Sequence, residues 1–162
     1  MTASTKTQMD LMRMAIAEAK EGIAVGQSPF GAVVATPDGK VVAAAHNLVR
    51  AHEDATAHAE IVAIRRACSH LATIELSGHV LATTCEPCPM CAAAIHWAKL
   101  DAVIYGAEIS DARDAGFNEL SLPIAVLYQR GGSSVQVQAN VLREECRELF
   151  QLWKQGPNAT PY

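Results

Sequence analysis

Two short stretches of the chain hold residue types that bind metals and move protons. An Ala-His-Ala-Glu stretch supplies an imidazole and a carboxylate, and a later Glu-Pro-Cys-Pro-Met-Cys stretch supplies two thiols. The side chains are His58, Glu60, Cys88 and Cys91. One nitrogen and two sulfur ligands leave the fourth position of a tetrahedral zinc ion open, as in catalytic sites, whereas structural zinc sites take all four ligands from protein. Glu60, two residues after the histidine, is placed to lie beside water at that open position.

Both stretches are expected to begin helices. Cys88 and Cys91 are three residues apart, so their side chains lie on one face of a helix. Pro87 just before them suits a helix start, where a missing backbone N–H costs little. The partial positive charge of a helix N-terminus favours a thiolate over a thiol. His58 follows the polar residues 54–56, which are able to cap a second helix.

Two other interpretations of the cysteines stay open. A Cys-x-x-Cys pair is also typical of a redox centre, and Cys85 with Cys88 has this spacing too. The register disfavours Cys85, because it ends the strand-like run 80–84 and precedes the proline. A closed structural zinc site is the second alternative. Cys85, Cys68 and Cys146 are interpreted as small buried residues.

The composition is that of an ordinary globular protein. Of the 162 residues, 50% are hydrophobic and 19% are charged, which predicts one domain over residues 1–162 with an irregular tail at 156–162. No apolar run approaches the roughly eighteen residues of a membrane span, and the first residues lack the apolar core of a signal peptide. Five cysteines, an odd number, favour the reducing cytoplasm.

The charge and the residue pattern bear on partners and fold class. A net charge of −4 without a basic stripe makes a tRNA partner unexpected. The apolar periodicity predicts an α/β fold in which a mixed five-stranded sheet lies between two layers of helices. Residues 108–122 are expected to form a loop. The predicted helices are 8–25, 58–71, 88–99 and 144–153, and the predicted strands are 30–35, 40–46, 79–83, 102–107 and 135–137.

His-x-Glu followed by Pro-Cys-x-x-Cys is the signature of zinc deaminases, and residues 9–153 resemble the cytidine deaminase-like superfamily of nucleobase and nucleoside deaminases. The resemblance implies that superfamily's three-layer α/β/α fold and one zinc ion per chain, bound by His58, Cys88 and Cys91. It also implies hydrolytic deamination, with zinc-bound hydroxide as nucleophile and Glu60 as the proton shuttle.

Three segments, 54–60, 95–98 and 111–119, resemble bacterial guanine deaminases in particular. This resemblance implies that guanine is converted to xanthine and ammonia. It also implies that Glu119 is a second carboxylate, on the side of the base opposite Glu60. Other acids of the same region are alternatives to Glu119. They are Glu108, Asp111 and Asp114.

The same resemblance implies five substrate contacts and a homodimer. Phe30 and Trp97 would wall the base pocket, and Asn47 would hydrogen-bond the base. The backbone N–H of Ala59 would orient the substrate, and Tyr162 would belong to a tail that crosses to cover the partner's pocket. The alternative functions are tRNA adenosine deamination, cytosine or nucleoside deamination, and a catalytically silent nucleobase-binding or structural zinc protein.

Overall fold

Seven helices and five strands follow one another in the residues that the computed structural model describes, 3–162. Met1 and Thr2, which belong to the domain predicted over residues 1–162, lie outside the described residues. The strands are β1 (Gly31–Ala35), β2 (Val41–His46), β3 (Val80–Cys85), β4 (Ala102–Ala107) and β5 (Gln136–Gln138). The helices are α1 (Thr5–Ala24), α2 (Val49–His52), α3 (Ala59–Leu71), α4 (Pro89–Trp97), α5 (Ile109–Asp114), α6 (Ile124–Gly131) and α7 (Arg143–Lys154).

The strands form one mixed sheet in the order β2-β1-β3-β4-β5. Strand β1 pairs antiparallel with β2 and β3, whereas β3, β4 and β5 run parallel. Helix α4 makes the crossover between β3 and β4, as a parallel pair requires. Both zinc-motif stretches therefore begin helices at one edge of this sheet, where open α/β folds place their ligands.

Helices cover both faces of the sheet. Along β1, Ala32 and Val34 pack into a core with α3, α4 and α6, whereas Val33 and Ala35 pack into a second core with α1 and α7. Every residue of β1, β3 and β4 is buried, because helices cover both faces of these strands. The predicted three-layer α/β class with a mixed five-stranded sheet is confirmed.

A close approach between α1 and β1 fixes the start of β1. A Cβ atom at Gly31 would lie 2.1 Å from the carbonyl oxygen of Ala15 on α1. Only glycine allows this distance. The contact holds Phe30, the residue before β1, at the edge of the sheet where the predicted site lies.

The prediction of a loop over residues 108–122 is wrong in its first part, where α5 forms. Helix α5 has only six residues, but Asp111 accepts from the backbone N–H of Glu108 and from the guanidinium of Arg143 on α7. These contacts come from capping and from a distant helix, so local periodicity does not reveal them. Helix α6 was not predicted, and it is anchored by the Tyr128 hydroxyl, which donates to the carbonyl of Ala92 at 2.8 Å.

In the described part of the chain, none of the helices combines the length and the apolar character that crossing a bilayer needs.

Candidate active site

The structure brings the three predicted zinc ligands together. His58 is the N-cap of α3 and Cys88 is the N-cap of α4, with Cys91 in the first turn of α4. Nδ1 of His58 lies 3.7 Å from Sγ of Cys88 and 3.5 Å from Sγ of Cys91. In a tetrahedral zinc site, bond lengths of ~2.0–2.3 Å put nitrogen and sulfur ligands ~3.6 Å apart. The three donors therefore fit zinc.

This ligand set is open rather than closed. Among residues 3–162, the group of side chains that is able to hold a metal consists of these three, with their donor atoms within 4.8 Å of one another. A structural site would need a fourth protein ligand. A redox pair of Cys85 with Cys88 is not supported either, since Cys85 is buried and its Sγ contacts the carbonyl oxygen of Glu108 at 3.6 Å.

The two cysteines differ in their affinity for a proton when no metal is bound. Hydrogen bonds that the Cys88 thiolate accepts from Cys91 and from His58 lower the pKa of Cys88 to about 4. The hydrogen bond to Cys88 and burial raise the pKa of Cys91. Burial lowers the pKa of His58, but the neighbouring Cys88 and Glu60 outweigh this effect and raise it. Metal binding must release these protons, since zinc takes thiolate and neutral imidazole.

Glu60 lies in the first turn of α3, beside the ligands. Its side chain is buried, and Oε1 accepts a hydrogen bond from the hydroxyl of Thr83 on β3 at 3.2 Å. Burial raises the pKa of Glu60, because a low-dielectric environment disfavours the charged carboxylate. A carboxyl group in this position is able both to accept and to return a proton.

A cavity of about 170 Å³ opens over His58, Glu60 and Cys88. The remaining lining residues come from the start of β1, the turn before α3, the end of β3 and the turn after it, the segment after α5 and the C-terminus. They are Phe30, Ala55, Cys85, Glu86, Phe117, Asn118, Glu119 and Tyr162. The rings of Phe30 and Phe117 meet edge to face at 5.0 Å, which gives the cavity an aromatic wall.

Four acids were candidates for the second carboxylate, and of these only Glu119 lines this cavity. Glu108 and Asp111 are ion-paired with Arg143, and Asp114 is exposed. Burial, reinforced by the negative charge of Cys88, raises the pKa of Glu119 to about 7. The structure thus places a second carboxyl group in the cavity that contains Glu60.

The C-terminal tail lies over the same cavity. The buried Asn47 donates from Nδ2 to the hydroxyl of Tyr162 at 2.6 Å, and the N–H of Asn118 donates to the carbonyl of Tyr162 at 3.2 Å. Asn47 is also fixed from behind, since its Oδ1 accepts from the N–H of Val49 at 3.1 Å. Ala59, the other predicted contact, is the first residue of α3, where backbone N–H groups have no partner within the helix.

The structure places Trp97 outside the cavity of its own chain, so this substrate contact stays a prediction. Trp97 ends α4 and its side chain is 78% exposed. Its ring packs edge to face against His96 at 5.7 Å. Residue 97 lies six positions after Cys91, and a helix rises ~1.5 Å per residue. The indole is therefore carried ~9 Å along α4 away from the ligands.

Sequence reasoning missed several polar residues of the site. Thr83 and Glu86 had no assigned role, yet Thr83 contacts Glu60 and Glu86 lines the cavity. Both are buried. Such polar residues are rarely buried without a partner, and that signal would have marked them.

A family described as the cytidine and deoxycytidylate deaminase zinc-binding region matches residues 5–107 of the chain. The chain belongs to this family. Membership confirms the resemblance inferred from the motifs, the zinc cofactor and the deaminase class.

Two curated relatives within this deaminase group cover most of the chain. The guanine deaminase of Bacillus subtilis (strain 168) is 47% identical over 156 residues, which are 93% of this chain and 96% of that protein. The tRNA-specific adenosine deaminase of the same organism is 38% identical over 141 residues, with coverages of 86% and 84%.

Solved structures of the group share the fold. The structure of a guanine deaminase from Nitrosomonas europaea superposes with a TM-score of 0.82 at 26% identity, covering 96% of this chain and 87% of that one.

The first prediction for this deaminase concerns its metal content. Protein purified without chelators is expected to contain one zinc per chain, and Cys88→Ala or Cys91→Ala to lose most of it, because two ligands hold zinc weakly. Cys85→Ala is the matched control, since its sulfur faces Glu108 rather than the ligands, and it should keep the metal. Elemental analysis measures all four proteins. Wild-type protein without a transition metal would contradict the site.

Proposed function

We propose that this protein is a zinc-dependent guanine deaminase, which hydrolyses guanine to xanthine and ammonia. The observation that carries the proposal is that Glu60 and Glu119 line one cavity together with His58 and Cys88, two members of the three-residue group that could bind zinc. The 47% identity to a guanine deaminase over nearly the whole chain supports it.

The chemistry divides between the ligands and the first carboxylate. His58, Cys88 and Cys91 would hold the zinc, which when bound lowers the pKa of water and so supplies a nucleophile at neutral pH. Glu60 takes a proton from the attacking water and passes it to N3 of the base. It then takes the second proton of that water to the amino group, so that the C2–N bond breaks and ammonia leaves.

Glu119 accounts for the choice of base. Guanine carries an N1–H beside C2, the attacked carbon, and an ionised Glu119 accepts from this group or from the amino group. Adenine and cytosine have no ring N–H beside the attacked carbon. A buried carboxylate left without its partner costs ~1–3 kcal/mol. Guanine is therefore favoured.

The dimensions of the site and the charge of the chain favour a free base over tRNA. A cavity of about 170 Å³ is below the ~300–1,000 Å³ of pockets for drug-sized ligands. The net charge is −4. Arg143 is ion-paired with Asp111, and Arg66 donates to the carbonyl of Ala44. RNA binding relies on clustered cations that are free to meet phosphates.

An ammonia-release assay with a panel of substrates tests this proposal. The panel comprises guanine, guanosine, adenine, cytosine, cytidine and a tRNA anticodon stem-loop. Guanine should be turned over most efficiently. Turnover of cytosine or tRNA adenosine without any turnover of guanine would assign one of the alternative activities. No ammonia from any member would favour a catalytically silent protein.

We propose further that the tail acts as a lid over the cavity. Burial raises the pKa of Tyr162 to about 12, so its hydroxyl stays protonated while it accepts from Asn47. The guanidinium of Arg50 also donates to the carbonyl of Thr160. These contacts hold the end of the chain across the entrance, where it would exclude water.

Deletion of residues 157–162 is therefore expected to raise the KM for guanine about tenfold or more. Tyr162→Phe should have a smaller effect, because it keeps the ring and loses only the hydroxyl. Thr160→Ala is the control within the tail, since Arg50 contacts the backbone carbonyl and not the side chain of Thr160. Steady-state kinetics decides, and a deletion without kinetic effect would rule out the lid.

The cytoplasm remains the predicted location of the protein. We propose that the protein forms a homodimer. Trp97 and Ile74 are 78% and 83% exposed, and the adjoining backbones meet where the N–H of Leu76 donates to the carbonyl of Ala98 at 2.7 Å. Exposed large apolar groups that lie together indicate an interface.

Sedimentation at micromolar concentration should accordingly give about twice the chain mass of 17.3 kDa. Trp97→Ser should shift the protein toward the monomer, whereas Val25→Ser, another exposed apolar position, should not. A wild-type monomer under these conditions would contradict the dimer.

A further inference from the structure

Glu86 is a buried carboxylate to which the catalytic scheme gives no role. It is only 8% exposed and lies in the turn between β3 and the first cysteine ligand. Its Oε2 accepts from the N–H of Ile109 at 3.2 Å, and its Oε1 accepts from the N–H of Ile124 at 2.9 Å. Its own N–H donates to the carbonyl of Ala107 at 2.8 Å. The two carboxylate oxygens and the backbone N–H of Glu86 therefore join the turn to three other segments.

The two partners of the carboxylate are the first residues of two helices. Ile109 begins α5 and Ile124 begins α6. Backbone N–H groups at helix starts have no partner within the helix and carry partial positive charge. One carboxylate thus binds the N-termini of both helices. Because its two oxygens belong to the same group, a movement of one oxygen also displaces the other.

The segment between these helices contains the residues that close the cavity. Residues 115–123 connect α5 to α6 and include Phe117, Asn118 and Glu119. Within residues 3–162 the segment pairs with no strand. Phe117 packs against Phe30, and Asn118 binds the carbonyl of Tyr162, while its two ends are set by α5 and α6. Glu86 binds the first residue of both elements, and it sits two residues before the ligand Cys88. It therefore couples the segment to the metal turn.

We infer that Glu86 is a positioning residue, which sets the place of Glu119 relative to the metal turn and thereby determines selectivity for guanine. This inference rests on the proposed guanine deamination. A competing role is that Glu86 only stabilises the fold, as many buried carboxylates with paired oxygens do. The two roles differ in the effect that a Glu86 variant has on kcat/KM when Glu119 has already been replaced.

Glu86→Gln is the most discriminating variant. An amide has the size of the carboxylate but only one acceptor oxygen, so its NH₂ group must face one of the two backbone N–H donors. The hold on either α5 or α6 is lost while the packing volume stays the same. A misplacement of about 1 Å in a catalytic constellation lowers the rate on the order of 10²-fold, and we expect a fall of this order in kcat/KM for guanine.

A double-mutant comparison identifies the route of this effect. In a Glu119→Gln background, Glu86→Gln should lower kcat/KM by less than about threefold, because the group that it positions is already gone. The guanine-to-adenine ratio should fall in Glu86→Gln, and zinc content should not change. Asp101→Asn is the matched control. Asp101 also accepts a backbone N–H, that of Gly78 at 2.9 Å, but lies at the other end of the sheet, and its variant should keep wild-type kinetics.

A second variant removes the donor instead of the acceptor. Ile109→Pro deletes one N–H at a first helical position, where proline is tolerated. The preceding Glu108 has φ −93° and ψ 164°, in the extended region that a following proline requires. Ile109→Val controls for the change in packing. The proline variant should reproduce the loss seen in Glu86→Gln, and it carries the test if Glu86→Gln does not fold.

Hydrogen–deuterium exchange supplies a readout that does not depend on activity. Peptides covering 109–124 should exchange at least tenfold faster in Glu86→Gln and in Ile109→Pro, with peptides of β1 and β4 unchanged. Unchanged exchange, or a kcat/KM loss that is the same with and without Glu119, would overturn the inference. A wild-type protein that releases no ammonia from guanine would instead overturn the proposed function, which the exchange measurement does not address.

Discussion

Replacement of Glu60 by glutamine is expected to lower kcat for guanine by about 10²- to 10⁴-fold, which is the usual contribution of a general acid–base group. Glutamine keeps the size of the side chain but cannot take the proton from the attacking water or return it to the base. Thr83, which donates a hydrogen bond to Glu60, carries a hydroxyl that is too weak a base to replace the carboxylate. The zinc content should stay at one per chain, because Glu60 is not among the three ligands.

Two measurements separate this catalytic loss from structural damage. Elemental analysis and the melting temperature of Glu60→Gln should match wild type. Thr83→Val keeps the carboxylate but removes its hydrogen bond, and should lower kcat by only about tenfold. A Glu60→Gln protein that retains near-normal turnover would remove Glu60 from the mechanism. Equal losses in both variants would indicate a structural role.

Replacement of Glu119 by glutamine is expected to lower kcat/KM for guanine by ~10- to 100-fold, the equivalent of one unpaired buried polar group. Guanine loses its acceptor for N1–H, whereas the already low rates with adenine and cytosine should hardly change. Asp114→Asn is the control, since this acid is exposed and lies outside the cavity. An unchanged guanine preference in Glu119→Gln would leave the choice of base without its explanation.

The pH dependence should change with the same substitution. Glu119 accepts from N1–H only when ionised, that is, above its pKa, which burial raises to about 7. Activity should therefore fall as the pH is lowered through this value. A bound dication would lower the pKa, so the fall is expected at or below pH 7. Glu119→Gln should lack this acidic limb.

The sequence predicted most of the fold because its signals are local. Apolar runs in β1, β3 and β4 and the periodicity of α1, α3 and α7 reflect burial, and burial follows from side-chain type. Helix α5 was not predicted, because six residues are too few for a periodic pattern and Arg143 stabilises them from α7. Tertiary contacts of this kind are invisible to a local pattern.

The site was predictable from the sequence to a similar extent. The site predictions that could not be made depend, like α5, on tertiary structure. Metal ligands carry their own spacing, so His58, Cys88 and Cys91 could be assigned from the chain. Trp97 could not be placed by residue type, because only the direction of α4 shows that its side chain is exposed. Tyr162 and Asn47 are 115 positions apart and meet through the tail. Their contact follows from three-dimensional packing alone.

The most direct test of guanine deamination by this site is product analysis in ¹⁸O-labelled water. Zinc-loaded wild-type protein incubated with guanine should give xanthine carrying one labelled oxygen at C2, with an equal amount of ammonia, and Glu60→Gln should give neither above background. Unconverted guanine, under conditions in which the same protein turns the adenosine of a tRNA anticodon loop into inosine, would contradict the account.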